Sequence, residues 1–188
     1  MIPISVCIIT KNEARSLERC LAALQPFPME IVVVDTGSTD ASKETARKFT
    51  DKVFDFTWID DFSAARNYAA ACASHNIIFP VDTDEILTSL DWDALQTALT
   101  DNPQSVGHIK RLDYFEADTE TKCYEVMIER IYDKRYYHYE LPIHEVILPT
   151  SDIPYTSYET AVTLDHNGYL GDKEALKQKA ERNLSLDY

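Results

Sequence analysis

The stretch "EIVVVDTGSTD", Glu30 to Asp40, decides how the first half of this chain folds. Ile31 to Val34 are four apolar residues in a row, without alternation. Such a run suits a strand covered on both faces, as in a parallel sheet sandwiched between helices. The strand ends in Asp35, and Gly37 then marks a turn where a positive φ is expected. Asp40 reads as the N-cap of a helix over residues 41–49.

The same succession repeats on either side. Upstream, "ISVCIIT" is a continuous apolar strand, and "EARSLERCLAAL" places Ala14, Leu17, Leu21 and Leu24 near helical spacing. Downstream, "DKVFDF" predicts a short third strand, Ser63 a cap for a helix through "AARNYAAACAS", and "IIFPV" a fourth strand. Strands alternating with helices in this way predict an α/β domain with a mostly parallel, Rossmann-like sheet flanked by helices. After residue 90 the character changes. "WDALQTALTD" is helical, while "SVGHIKRLDYFEA" and "TKCYEVMIERIYDK" alternate and are rich in Tyr, predicting an antiparallel hairpin region. "HEVILP" and "ETAVTLDHNGY" read as further strands. The last segment, "GDKEALKQKAERNLSLDY", is a charged terminal helix with no stop signal, as in a chain that naturally continues.

Composition narrows the function classes. A chain of 188 residues fits one domain with a sizeable core. Its net charge of −14 argues against nucleic acid and anionic membranes as partners. No apolar run approaches the roughly 18 residues of a membrane span. The N-terminus lacks the basic region of a signal peptide. Cys7, Cys20, Cys72 and Cys123 form no CxxC and read as free thiols, so a cytoplasmic location is expected. With Gly37, Gly107, Gly168 and Gly171 the only glycines, a Walker loop and a GxGxxG fingerprint are both missing. A GxSxG elbow is missing too, and His144-Glu145 is followed by Val-Ile-Leu, which excludes HExxH.

The acids of "FPVDTDEIL" carry the chemistry. With 18 Asp in the chain, about 1.7 Asp-x-Asp triplets arise by chance, so the bare pattern is weak. Asp91-Trp92-Asp93 also matches, and there a helix start explains it. Asp82 and Asp84 differ because they follow the carboxyl end of a buried strand, where open α/β sheets bind ligands. Carboxylates crowded there repel one another unless a hard cation joins them, the bland alternative being an acidic exit loop. Asp35 sits where nucleotide-binding sheets place a carboxylate for ribose, or it is simply a turn residue.

Taken together, "ISVCIITKNE", "EIVVVDTGSTD", "DDFSAARNYA" and "FPVDTDEIL" resemble the inverting family-2 glycosyltransferases with the GT-A fold. Within them the likeness is to the bacterial cytoplasmic branch with a D-x-D-E strand end. It is strong over about residues 2 to 90, and "IHEVI" and "DHNGYLGD" resemble that branch's later elements. The chain departs from the pattern at Ser74-His75-Asn76-Ile77, usually Gly-Asp-aromatic, and at Thr83, often Ala. The resemblance implies one GT-A-type domain over residues 1–170, with 1–90 the nucleotide-sugar-binding half and 91–170 the acceptor side. Residues 171–188 would then begin a helical extension.

It further implies a hexosyltransferase-type enzyme that moves a sugar from a nucleotide donor, expected to be a UDP-sugar, with inversion and with Mn²⁺ or Mg²⁺. The acceptor would be a glycan, a lipid-linked sugar or a peptide. Thr10, Asn12 and Glu13 would line the nucleoside pocket, with Asp35 on the base or ribose and Arg66 on the base or diphosphate. Asp82 would meet ribose or metal, Asp84 would be the main metal ligand, and His166 a further metal or diphosphate contact. Glu145 is the candidate general base, since an attacking hydroxyl must lose its proton. Simpler readings stand beside these: a salt bridge for Arg66, a solvent-facing strand carboxylate for Glu145, a satisfied loop histidine for His166. Tyr114, Phe115, Tyr124, Tyr132, Tyr136, Tyr137 and Tyr139 form either a stacking platform for a sugar or the packed face of a hairpin. His75, His108 and His138 show no ligand spacing. The functional rival is a non-catalytic nucleotide-sugar binding module or degenerate pseudoenzyme.

Overall fold

Unalternating apolar strands need cover on two sides, and the chain provides it. A computed structural model describes residues 1–117 and 120–169. The expected helix over 171–188 lies outside the described residues. The elements run β1 (Ile4–Thr10), α1 (Ala14–Leu24), β2 (Glu30–Asp35), α2 (Ser42–Arg47), β3 (Val53–Asp55), α3 (Phe62–Cys72) and β4 (Ile77–Pro80). They continue as β5 (Glu85–Leu90), α4 (Trp92–Asp101), β6 (Val106–Ala117), β7 (Glu120–Asp133), β8 (Tyr137–Glu140), β9 (Val146–Pro149) and β10 (Ser157–Tyr169).

Eight strands form one sheet in the order β3-β2-β1-β4-β7-β6-β10-β5, and β8 and β9 pair separately. The first four are mutually parallel, and β7 joins β4 antiparallel. Alternate residues feed two cores. Ile4, Val6 and Ile8 of β1, Ile31 and Val33 of β2, and Phe79 of β4 pack with Leu17, Leu21 and Leu24 of α1. Cys7, Val32, Val34 and Ile78 point to the opposite face, where Ala69 and Ala70 of α3 meet Tyr132, Tyr137 and Tyr139. Apolar residues therefore follow one another without alternation in these strands, because both faces are buried.

The chain builds outward from β1 through β2 to β3, then crosses back to lay β4 on the other side of β1. That reversal is a topological switch point, and the crevice outside the carboxyl ends of β1 and β4 is the expected ligand site. A second constraint shapes the site. β4 and β5 are joined by Val81 to Asp84 but lie four places apart in the pairing order, about 19 Å across a flat sheet. The link is shortened further by a turn in which Glu85 N–H donates to Asp82 O at 3.0 Å. It cannot span a flat sheet, so β7, β6 and β10 curl back and bring β5 beside the end of β4.

Two expected caps are placed differently. The N-cap of α3 is Asp61, whose carboxylate accepts from Ala64 N–H, while Ser63 donates to the Leu141 carbonyl. The first turn of α3 thus keeps its own acid, and the hydroxyl is freed to hold another segment. Helix α2 starts at Ser42 with no side-chain cap, and Asp40 instead accepts from Ser42 N–H at 2.9 Å and Ala14 N–H at 3.2 Å. The positive φ at Gly37 is present, at 105°. A further glycine matters for packing. A Cβ on Gly107 of β6 would lie 3.0 Å from Thr160 Cγ2 and 3.1 Å from Ile131 Cβ. Gly107→Ala is expected to destabilise by about 1–3 kcal/mol through overpacking. Urea unfolding should show a lower midpoint at an unchanged m-value.

Candidate active site

Helix α3 organises the site through the residues of "DFSAARN". Phe62 N–H donates to Pro142 O at 2.9 Å, and Ser63 holds Leu141 O. Asn67 donates to Tyr139 O at 2.8 Å and accepts from Tyr139 N–H at 2.9 Å, closing a paired contact with β8. These bonds fasten the loop of residues 141–145 over the helix, with Leu141 and His144 at positive φ. Glu145 is thereby placed in this loop just before β9, rather than on a strand. Arg66, on the same helix, donates from Nε to Glu145 Oε1 at 2.7 Å and from a terminal nitrogen to Asp82 Oδ1 at 2.9 Å. Its guanidinium also lies 5.4 Å from the centre of the Tyr139 ring.

From Asp82 a ladder of alternating charge continues inward. Arg130 of β7 donates to Asp82 Oδ2 at 3.1 Å and to Glu85 Oε1 at 2.9 Å. Glu85 opens β5 with no solvent exposure, and its Oε2 accepts from Asp82 N–H at 3.0 Å. Arg111 of β6 approaches Glu85 at 3.4 Å and binds Asp113, which meets His166 Nδ1 at 2.6 Å. His166 Nε2 lies 3.4 Å from Asp84 Oδ2. Five carboxylates thus face three guanidiniums and one imidazole, with Glu145 and Asp84 at the two ends. The surplus of negative charge falls where a cation would be welcome.

The carboxyl edges of β1 and β2 form the other flank. Thr10 and Asp35 are register partners, both buried, and Thr10 Oγ1 and Asp35 Oδ2 have no hydrogen-bond partner among the described residues. Buried orphan oxygens of this kind suit a ligand hydroxyl or amide. Asp35 Oδ1 is already occupied by the N–H groups of Gly37 and Ser38. Asn12 holds the loop after β2, and Glu13 the first turn of α1. Asn12 Oδ1 accepts from Thr39 N–H at 2.7 Å, and Glu13 Oε2 accepts from Ser16 at 2.7 Å.

The trio Asp82, Asp84 and His166 is not gathered as three ligands. Both oxygens of Asp82 accept from arginines, leaving Asp84 and His166 as a facing pair. Among the described residues no group of three or more His, Cys, Asp or Glu is arranged to hold a metal ion. The pair itself fits a divalent cation: a partly open carboxylate, an imidazole nitrogen, and a carboxylate behind the ring. Of the aromatic cluster, Tyr132, Tyr137 and Tyr139 are buried core, whereas Phe115 and Tyr124 pair on the hairpin of β6 and β7. Arg111, Asp113 and Arg130 escape a motif search. Arg111 and Asp113 carry a signal in strand periodicity, since they share one face of β6 with apolar Ile109, whereas Arg130 lies where the register of β7 shifts and the period breaks.

Charges are held by one another here. Burial alone would raise the Asp82 carboxyl, but Arg66 and Arg130 keep it well below the usual carboxylate range. Burial also opposes ionisation of Asp113, and Arg111 and His166 outweigh it. Burial works against Arg130 as well, yet Glu85 and Asp82 hold it above the ordinary arginine value. Carboxyls lowered in the folded state contribute stability above their unfolded pKa, near 4, which is lost as pH falls through the folded value. The urea midpoint is therefore expected to fall between about pH 5 and pH 3. Breaking the ladder tests it directly. Arg130→Met should cost on the order of 3 kcal/mol by leaving Glu85 and Asp82 short of a cation. Adding Glu85→Gln should recover part of that loss, a non-additivity readable by urea unfolding.

Comparisons with known proteins bear on the family and the fold. The model of the family described as glycosyl transferase family 2 matches residues 5–151. The chain is 39% identical over 107 residues to a TPR repeat-containing protein of Synechococcus elongatus, covering 57% of this chain and 26% of that protein. It is 24% identical over 191 residues to the glycosyltransferase SunS of the Bacillus subtilis SPbeta prophage, covering 95% of this chain and 43% of SunS. The crystal structure of S. aureus TarS 1-349 in complex with UDP-GlcNAc superposes with a TM-score of 0.50 at 26% identity, over 60% of this chain and 35% of that one. The chain spans less than half the length of each of these proteins. No helix among the described residues is long and apolar enough to cross a membrane.

Proposed function

The chain belongs to glycosyl transferase family 2 and has the GT-A fold, and from that premise we propose that it transfers a sugar from a nucleoside diphosphate donor to an acceptor hydroxyl with inversion. The observation that carries this reading is the reach of Arg66, which holds Glu145 at 2.7 Å and Asp82 at 2.9 Å. A single guanidinium thus sets the candidate base beside the strand-end acids.

Each step of such a transfer asks something of this chain's residues. Thr10 Oγ1 and Asp35 Oδ2 are the groups for the nucleoside. Glu145, at 16% exposure, is open enough to take the proton of an incoming hydroxyl while its other oxygen stays fixed by Arg66. Asp84 and His166 are the residues that would hold Mn²⁺ or Mg²⁺. Such an ion, when bound, neutralises the negative charge that develops on the departing diphosphate. Asp82 holds the two arginines in place rather than serving as a ligand itself. The UDP-GlcNAc complex of TarS supports a uridine diphosphate sugar as the donor.

Thermal stabilisation by a panel of nucleotides and nucleotide-sugars, with and without Mn²⁺, tests the reading. A uridine diphosphate species should win, adding about 2.7 kcal/mol at 100 times its Kd. Asp84→Ala should lose the Mn²⁺-dependent part. Glu145→Gln should bind the donor normally but transfer about 10²–10⁴-fold more slowly. Absence of stabilisation by any nucleotide, or an Asp84→Ala response equal to wild type, would sink the assignment. Stabilisation without slow hydrolysis of the donor would instead identify a binding module.

A further inference from the structure

The imidazole of His166 is gripped from behind. Its Nδ1 lies 2.6 Å from Asp113 Oδ1, and its Nε2 lies 3.4 Å from Asp84 Oδ2. Asp113 is 1% exposed and is itself fixed, with Arg111 donating to Oδ2 at 3.1 Å and its Nε 2.8 Å from Oδ1. The backbone reinforces the contact, since Asp113 of β6 and His166 of β10 are register partners. Of the two nitrogens, one is therefore immobilised by the sheet and the other faces a half-open carboxylate.

The chemistry of the short contact fixes the proton. A carboxylate held ionised by a guanidinium only accepts hydrogen bonds. At 2.6 Å an unprotonated Nδ1 would set two lone pairs against each other, so Nδ1 carries the hydrogen. Nε2, with its carboxylate farther off at 3.4 Å, is then the nitrogen that gives up its hydrogen first. We propose that Asp113 is a positioning residue that locks His166 as the Nδ1–H tautomer and so turns Nε2, beside Asp84, into the lone-pair donor for a divalent cation. This rests on the reading above that Asp84 and His166 hold the ion. It adds the residue that makes the imidazole a ligand instead of a second proton donor. Binding then forms one bond at Nε2, and any proton there leaves to solvent.

The test uses the whole chain with ¹⁵N-labelled histidine. Long-range proton–nitrogen correlation spectra at about pH 9, above the ordinary imidazole range, report which nitrogen carries the hydrogen. His166→Gln assigns the signals. Wild type should show the Nδ1–H form, and Asp113→Asn and Asp113→Ala should move His166 toward Nε2–H. Free Mn²⁺ counted by electron paramagnetic resonance, with and without uridine diphosphate, gives the second readout. Asp113→Asn should weaken Mn²⁺ about 10–100-fold, with Asp113→Glu restoring part of the affinity. The wild-type tautomer is informative even where a variant folds poorly. An Nε2–H ring in wild type overturns the proposal, as does Asp113→Asn with unchanged tautomer and unchanged Mn²⁺ affinity. A wild-type Nδ1–H ring lost in Asp113→Asn, with no Mn²⁺ bound by either protein, upholds the lock. That result rejects the cation site instead, so the two failures are told apart.

Discussion

The Glu85 carboxylate, fully enclosed, accepts from Arg130, approaches Arg111 and takes the Asp82 amide hydrogen. An ionised carboxylate taken from water costs several kcal/mol unless it is paired and hydrogen-bonded, so these contacts are obligatory. They also join the two halves of the domain. Glu85 begins the strand that follows the parallel half, while Arg111 and Arg130 come from the curled antiparallel half. An apolar cluster of equal volume would serve stability as well or better. What the charges add is direction, because each guanidinium fixes the orientation of two acids. The strand-end turn thus inherits its shape from a buried ion network rather than from the loop's own sequence.

The ladder divides labour among its acids. Asp82 and Glu85 each sit between two arginines, whereas Glu145 and Asp84 stand at the two ends of the ladder. Glu85, wholly enclosed, cannot easily change partners, since burial makes an unmatched charge expensive. Terminal members retain an accessible side for a substrate or an ion. Arg66 illustrates how a sequence motif becomes geometry. Asp61, Ser63, Arg66 and Asn67 each fasten a different atom, and their joint effect is to hold Glu145 over the strand ends.

Most of the fold was readable from local pattern. β1, β2 and β4 are continuous apolar runs because both faces are buried, and the period of α1 follows directly from Leu17, Leu21 and Leu24. The switch to antiparallel pairing showed in the alternation of β6 and β7. β5 was not readable, because it begins inside the acidic stretch and Glu85 looks like the start of an exit loop. Its burial depends on Arg111 and Arg130, some 26 and 45 residues away. Asp61 and Ser63 both suit the cap of α3, and only the position of Leu141 decides between them. For the site, Arg66, Asp82, Asp84, Glu145 and His166 belong to one ladder of ion pairs and Thr10 and Asp35 pair at the ends of β1 and β2, while Asn12 holds the neighbouring loop and Glu13 the first turn of α1. Partnerships across strands were invisible because register, not sequence spacing, creates them.

The position of β5 beside β10 has a consequence for how the molecule is born. His166 pairs with Glu85, and Asp84 lies against the same histidine, across a sequence gap of roughly 80 residues. Contacts of such separation raise contact order and are slow to form. At 5–20 residues per second, about 4–16 s of synthesis separate the acidic turn from the strand that completes it. During that interval the acids of the turn stand without their histidine. The turn is therefore made well before the strand that completes it.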